Sequence, residues 1–213
     1  MLLLLQEPAA VVFSQVLMCL KNLRRLDLSN NRLKNQLGTI LSGLRDNLQQ
    51  LRLAACGLTS GDMAALATAS KLTSIEELDL SENSLTPCFI SLGRVISNNC
   101  QTLKVLELED SRLSDEVMMT LNSSFSSLEK LLFLNFTGNK WWTSTALNLV
   151  EKLSLLNKLK VLKFPYSQEC YSDYEMFSTE MDRFKLSMTS VLESQRVATG
   201  VRTRVKLILV PPT

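Results

Sequence analysis

The segment Ile75-Glu76-Glu77-Leu78-Asp79-Leu80-Ser81-Glu82-Asn83-Ser84-Leu85 decides the fold of this 213-residue chain. It places apolar residues at its first, fourth, sixth and eleventh positions and an asparagine at its ninth. The same frame recurs along the chain, with first positions at Leu23, Leu48, Ile75, Leu103, Leu131 and Leu159, which are 25, 27, 28, 28 and 28 residues apart. Such regular spacing of aligned apolar positions indicates stacked structural repeats.

Within each copy, the alternating Leu-x-Leu predicts a short strand whose leucines point to one side. The ninth position falls where a turn would leave buried backbone groups unpaired. An amide or, more weakly, a thiol can satisfy such groups. We therefore predict structural roles for the residues at this position, Asn31, Cys56, Asn83 and Asn139, and weaker bonding for Ser111. The sixth copy is predicted to break at Pro165.

Between the predicted strands the apolar period changes from two to about 3.6 residues, which favours helices. Helices are predicted over residues 11–20, 63–69 and 142–156. Two further helices are predicted from residues that share one apolar face, namely Phe89, Leu92, Val95 and Ile96 in one helix and Val117, Met118 and Leu121 in the other. Residues 2–5 are predicted to form the preceding strand. Because no polar capping repeat comes first, we expect the chain to be the C-terminal part of a longer array, or a short isoform of one.

The predicted fold class is α/β. We expect a repeat solenoid, or horseshoe, with a concave parallel sheet and convex helices over residues 1–170. A capping helix and a final strand are expected over residues 171–213. At the fifth turn, one residue of the pair Trp141-Trp142 is expected to fill the core and the other to be exposed.

Composition excludes several classes of function. The chain has 43 leucines but no histidine, which removes Ser-His-Asp triads and histidine metal sites. Its 23 Lys and Arg against 21 Asp and Glu argue against general nucleic-acid binding. Five cysteines without a CxxC pair predict free thiols in a reducing compartment, with neither metal nor cofactor. We expect a non-enzymatic protein of the cytoplasm or nucleus, without membrane insertion.

The concave face is the predicted site for a protein partner. Its residues are Arg25, Asp27, Arg52, Glu77, Asp79, Glu82, Glu107, Glu109, Asp110, Phe133, Asn135 and Lys163. Because neighbouring parallel strands lie about 4.8 Å apart, the six acidic residues from Glu77 to Asp110 are expected to form one cluster that attracts a basic segment. The alternative is a solvated sheet face that keeps the protein soluble. For the basic tail (Arg196, Arg202, Arg204 and Lys206), a charged edge strand is preferred to a nucleic-acid site.

Residues 23–164 resemble the leucine-rich repeat superfamily in its intracellular, ribonuclease-inhibitor-like branch. The ending is similar to the C-terminus of the PRAME family. It comprises Phe164-Pro165-Tyr166, Glu169-Cys170-Tyr171, a helix with Phe177, Met181, Phe184, Met188, Val191 and Leu192 on one face, then Gly200 and the strand 205–210. This resemblance implies an adaptor, since some members are substrate receptors of cullin-type ubiquitin ligases through elongin. An alternative function is the sensor fragment of an innate-immune NTPase receptor.

Overall fold

The computed structural model describes residues 7–165, 177–200 and 205–210. Within these ranges, seven strands form one parallel sheet in chain order. They are β1 (Arg25–Asp27), β2 (Gln50–Arg52), β3 (Glu77–Asp79), β4 (Val105–Glu107), β5 (Phe133–Asn135), β6 (Val161–Pro165) and β7 (Lys206–Val210). Each strand pairs with its successor in register, so equivalent positions of the repeat are neighbours across the sheet.

In the part of the chain that the structure describes, seven helices precede or connect these strands. They are α1 (Glu7–Cys19), α2 (Leu37–Leu41), α3 (Ser60–Thr68), α4 (Phe89–Asn98), α5 (Asp115–Ser126), α6 (Thr143–Leu153) and α7 (Phe177–Thr199). Short 3-10 turns occupy Ser70–Leu72 and Thr86–Cys88. Successive helices pack against each other, and right-handed crossovers between parallel strands put them on one side of the sheet. The predicted α/β leucine-rich repeat solenoid is confirmed.

The leucine positions of the repeat form the core between sheet and helices. The fourth-position residues from Leu26 to Leu162 are at most 9% exposed, and the sixth-position residues from Leu28 to Phe164 at most 4%. Burial of one such side chain stabilises the fold by about 1.5–3 kcal/mol. Since every copy contributes equivalent side chains, the core runs through the whole array.

The ninth-position residues Cys56, Asn83 and Asn139 join neighbouring coils, as predicted, whereas the amide of Asn31 bonds within its own turn. The Nδ2 of Asn83 donates hydrogen bonds to the carbonyl oxygens of Leu53 and Leu80, both at 2.9 Å. Its Oδ1 accepts from the backbone N–H groups of Cys56 and Leu58 at 3.2 and 3.1 Å. The amide thereby ties its own turn to the preceding one.

The two replacements for asparagine bond less fully, which confirms the prediction for Ser111. Its hydroxyl donates to carbonyl oxygens at 3.2 and 3.5 Å. The Cys56 thiol donates to the carbonyl oxygen of Leu28 at 3.1 Å. Burial raises the pKa of this thiol to about 11, so it stays protonated at neutral pH and is a poor nucleophile.

The eighth position has a left-handed backbone that the sequence analysis did not predict. Its φ is positive in five successive copies, at Asn30 (61°), Ala55 (53°), Glu82 (56°), Asp110 (46°) and Gly138 (76°). In the first four of these copies, its N–H donates to a carbonyl oxygen of the next coil at 2.8–3.0 Å. Asn, Asp and Gly favour this conformation, whereas Ala and Glu carry no such signal.

The left-handed backbone and close surroundings of Gly138 can be tested by substitution. A Cβ added there would lie 2.0 Å from Oδ1 of Asp110, whereas one added to Gly57, with φ of 60°, meets nothing within 4 Å. We expect Gly57→Ala to cost about 1 kcal/mol through backbone strain alone, and Gly138→Ala about 2 kcal/mol because the carboxylate must also move.

Urea unfolding of the two variants measures this difference. In an Asp110→Ala background, the cost of Gly138→Ala should fall to that of Gly57→Ala. Equal costs for the two glycines with Asp110 intact would contradict the close approach of this carboxylate.

β6 includes the proline at which the sequence predicts that the sixth copy breaks. Pro165 is the last residue of β6 and pairs with Val210 of β7. A proline is tolerated there because it removes only a ladder donor at the end of the strand. The positions of the sixth copy that follow Pro165 lie outside the described residues, so the break stays a prediction.

The C-terminal helix and strand continue the array. α7 packs on α6 and β7 on β6, with Met188 and Leu192 buried and Val191 half-buried, as predicted. The boundary at residue 170 stays a prediction. The 166–171 motif, the strand at 2–5, Arg202 and Arg204 lie outside the described residues, as do the side chains of Phe177, Met181 and Phe184.

The predictions for the tryptophan pair and for the first helix are confirmed. Trp141 is fully buried, whereas Trp142 is 49% exposed. The helix expected over residues 11–20 is α1. On this helix, Val12 is 58% and Val16 47% exposed. Among the helices that the structure describes, none combines the length and apolar character needed to cross a bilayer.

Candidate partner-binding surface

Two rows of side chains cross the concave face, because register places equivalent positions side by side. The third-position row is Arg25, Gln50, Glu77, Val105, Phe133 and Val161. The fifth-position row is Asp27, Arg52, Asp79, Glu107, Asn135 and Lys163. Neighbours within a row are about 4.8 Å apart, and the rows are about 7 Å apart. Ten of the twelve predicted partner-binding residues fall on or beside these rows, with Glu109 at the exit of β4.

The remaining two, Glu82 and Asp110, lie beyond the strand ends. They sit in the left-handed turns that follow β3 and β4, where they line an open depression of about 870 Å³ that also contains Arg112 and Lys140. The backbone N–H of Glu82 donates to the carbonyl oxygen of Glu109 at 2.8 Å, which joins the two turns. The single acidic cluster of six residues stays a prediction.

Asn135 differs from its predicted role as a partner contact, because it is only 1% exposed. Its Nδ2 donates to Oε2 of Glu107 at 2.8 Å and to Oε2 of Glu109 at 3.0 Å. Its Oδ1 accepts from the backbone N–H of Thr137 at 3.0 Å. The buried amide thus holds two glutamates side by side and positions them for solvent or a partner.

Glu107 is half-buried on the concave face, and its surroundings oppose its negative charge. Burial raises the pKa of its carboxyl above the ordinary range, and the negative charges of Asp79 and Glu109 act in the same direction. The hydrogen bond from Asn135 and the charge of Lys163 oppose this rise. A partly desolvated carboxylate beside like charges is stabilised by an incoming cation.

Two aspartates of the fifth-position row have a local structural role as well. Asp27 and Asp79 each accept, through Oδ1, the backbone N–H of the serine two residues later at 3.0 Å. The bond from Ser29 is the main reason that the pKa of Asp27 is lowered. Asx turns of this kind end the strands. The spacing Asp-x-Ser, together with Asn135-x-Thr137, was the sequence signal for this role.

An apolar strip adjoins the acidic residues. Val105, Phe133 and Val161 are neighbours in the third-position row and are each partly exposed. The Nζ of Lys163 lies 5.4 Å from the centre of the Phe133 ring, a cation–π contact. A notch of about 50 Å³ between β2 and β4 is lined by Arg52, Glu77, Leu78, Asp79, Val105 and Glu107.

The cationic residues that the structure describes on the concave face lie on either side of Glu77, Asp79 and Glu107 and form no ion pairs with them. Arg25 and Arg52 are exposed on β1 and β2, and Lys163 lies on β6. Within the described part of the chain, no Lys or Arg is at ion-pairing distance from Glu77, Asp79 or Glu107. Nor do the described residues contain a group of His, Cys, Asp or Glu side chains arranged to hold a metal ion.

Comparison with known proteins extends this description. The family described as PRAME C-terminal domain matches residues 5–204. Leucine-rich repeat-containing protein 14 of Xenopus laevis is 31% identical over 178 residues, which are 81% of this chain and 34% of that protein. The human protein of the same name is 26% identical over 150 residues, which are 70% of this chain and 30% of that protein. The chain thus spans about a third of the length of these curated relatives.

A solved structure with the repeat architecture also matches. It is the leucine-rich repeat ectodomain of the plant membrane receptor kinase GASSHO1/SCHENGEN3 from Arabidopsis thaliana, in complex with CASPARIAN STRIP INTEGRITY FACTOR 2. The match covers 72% of this chain and 19% of that one, with 22% identity and a TM-score of 0.40.

Proposed function

The chain belongs to the PRAME C-terminal domain family, and from this premise we propose that it is a non-catalytic scaffold that binds a basic segment of a protein partner on the concave face of its sheet. The observation that carries the proposal is the set of Glu77, Asp79 and Glu107, three carboxylates without a cation at ion-pairing distance among the described residues. Folding does not require like charges there.

Electrostatics supports a basic partner over an acidic or neutral one. Asp79 and Glu107 are register partners on adjacent strands, so their carboxylates repel each other across a spacing of about 5 Å. A Lys or Arg from a partner relieves this repulsion and attracts the segment from a distance. The parallel sheet is the rigid support for these side chains.

Charge reversal on the concave face tests this function. We expect the double variant Glu77→Lys/Glu107→Lys to bind a fluorescein-labelled Lys-rich peptide about 100-fold more weakly than the unmodified protein at low salt, since each reversal costs about tenfold. Fluorescence anisotropy gives the dissociation constants. The difference should shrink as salt is added, because exposed charges are screened.

The matched control carries the same change of charge on the helical face. Glu116 at the start of α5 and Glu193 on α7 are both exposed, so Glu116→Lys/Glu193→Lys should leave binding within about threefold of the unmodified protein. Equal losses in the two double variants would mean that only net charge matters. Unchanged binding by the concave variant would contradict the proposed function.

A finer proposal is that the chain recognises substrates for a cullin-type ubiquitin ligase in the cytoplasm or nucleus. Membership of the family is what supports it. Co-purification of the full-length gene product with elongin and a cullin tests it. A gene product that assembles with neither would contradict it. The alternative of an innate-immune sensor fragment stays a prediction.

A further inference from the structure

We propose that the concave face recognises a two-part motif in an extended partner segment, namely a Lys or Arg two residues away from an apolar side chain. The segment crosses β3 to β5, with its cation at the acidic residues and its apolar side chain on Phe133. This inference rests on the proposed function and adds which feature of a basic segment is selected.

The first part of the argument is an apolar shelf, defined as Val105, Phe133 and Val161. These residues occupy consecutive strands of the third-position row and are partly exposed, whereas the preceding residues of that row, from Arg25 to Glu77, are polar. The core does not need them, because the fourth- and sixth-position side chains already fill it. The shelf is about 10 Å long, since it spans two strand spacings.

The second part is the contact between this shelf and the acidic residues. Val105 pairs in register with Glu77 and lines the same 50 Å³ notch as Asp79 and Glu107. A side chain that reaches the notch therefore touches carboxylates and the end of the shelf together. This continuity favours a ligand in which charge and apolar surface are close neighbours.

The third part is the positive end of the face, which orients the segment. Lys163 lies over Phe133, and Lys206 on β7 is exposed beyond it. A partner cation is therefore attracted toward β3 and β4 and repelled from β6 and β7. The apolar side chain is left to contact the shelf at Phe133.

Strand spacing sets the distance between the two elements of the motif. The midpoint between Asp79 on β3 and Glu107 on β4 lies one and a half strand spacings across the sheet and one row along the strands from Phe133 on β5, about 10 Å in all. In an extended segment, side chains on one side repeat every two residues, about 7 Å, and the long stem of the Lys or Arg side chain spans the remaining distance. A cation and an apolar residue separated by one position therefore match the two parts of the surface.

Three fluorescein-labelled peptides of nine residues in a Ser/Thr background test the motif. The first contains Lys-x-Phe, the second has the same composition with five residues between Lys and Phe, and the third has Ser in place of Phe. In anisotropy titrations to millimolar protein, we expect the first to bind about tenfold more tightly than either of the others.

Variants of the protein identify the surface that is used. Phe133→Ala should weaken binding of the Lys-x-Phe peptide about tenfold, to the level of the peptide without Phe. Met119→Ala, on a side chain 66% exposed on α5, removes an apolar surface group elsewhere and should change nothing. Glu107→Gln should weaken binding of all three peptides.

The outcomes separate this inference from the proposed function. Equal binding of all three peptides, still weakened by Glu107→Gln, would overturn the two-part motif and leave the basic-segment function standing. Failure of all three peptides and of the Lys-rich peptide would overturn both. A dimer in sedimentation analysis that Phe133→Ala dissociates would show that a second copy of the chain occupies the shelf, which also overturns the motif.

Discussion

Replacement of Trp141 by Ala is expected to lower the free energy of unfolding by about 4 kcal/mol. The indole is fully buried, and its ring meets those of Phe136 and Phe164 edge to face, with centroids 5.2 and 5.3 Å apart. Its Nε1 also donates to the carbonyl oxygen of Leu113 at 2.7 Å. The substitution leaves a cavity, removes aromatic contacts and leaves that carbonyl unpaired.

Equilibrium urea unfolding followed by circular dichroism measures this change, and the adjacent tryptophan supplies the control. Trp142 is 49% exposed at the start of α6, so Trp142→Ala should cost less than about 1 kcal/mol. The pair differs in burial and hydrogen bonding but not in residue type. Similar losses for the two variants would contradict the aromatic cluster as a major source of stability.

Replacement of Asn83 by Ala is expected to cost about 3 kcal/mol. Besides the four bonds described above, its Nδ2 donates to the carbonyl oxygen of Ser81 at 2.9 Å. The side chain is 2% exposed, so the substitution leaves buried N–H and carbonyl groups without partners or access to solvent. Because these groups belong to two neighbouring coils, the loss also weakens the contact between repeats.

The fourth copy of the repeat offers the matched comparison. Ser111 occupies the same ninth position but makes two weaker bonds, so Ser111→Ala should cost about 1 kcal/mol or less. Unfolding free energies from urea titration give the difference between the variants. Equal losses of unfolding free energy would show that the side chain at this position stabilises the fold through its packing and not through its hydrogen bonds.

Both effects bear on the candidate surface, although neither residue contacts it. Asn83 keeps the turns after β2 and β3 in register, and the aromatic cluster supports β5 and β6 from the helical side. The proposed motif depends on the spacing between Asp79, Glu107 and Phe133. A loosened array should therefore lose selectivity for the spacing between Lys and the apolar residue before it loses attraction for positive charge.

Much of the fold could be predicted from periodicity. The Leu-x-Leu alternation placed the strands, and the constant interval between copies put equivalent residues in register. The capping helix on α6 followed from the apolar face that includes Met188 and Leu192. That β6 extends to Pro165 could not be predicted, because the sequence shows a missing donor but not whether the ladder needs one there. The left-handed eighth position was missed because Ala55 and Glu82 do not favour that conformation.

Periodicity is enough to place Glu77, Asp79, Glu107 and Phe133 on the concave side, because a period of two and a repeat of nearly constant length leave no other arrangement. The environment of each side chain follows from the folded structure. It buried Asn135 between two glutamates, gave Asp27 and Asp79 backbone donors, and placed Glu82 and Asp110 in left-handed turns beyond the strand ends. The physical reason is that burial and hydrogen bonding depend on the local turn and the neighbouring coil, whose residues lie about a full repeat away in sequence.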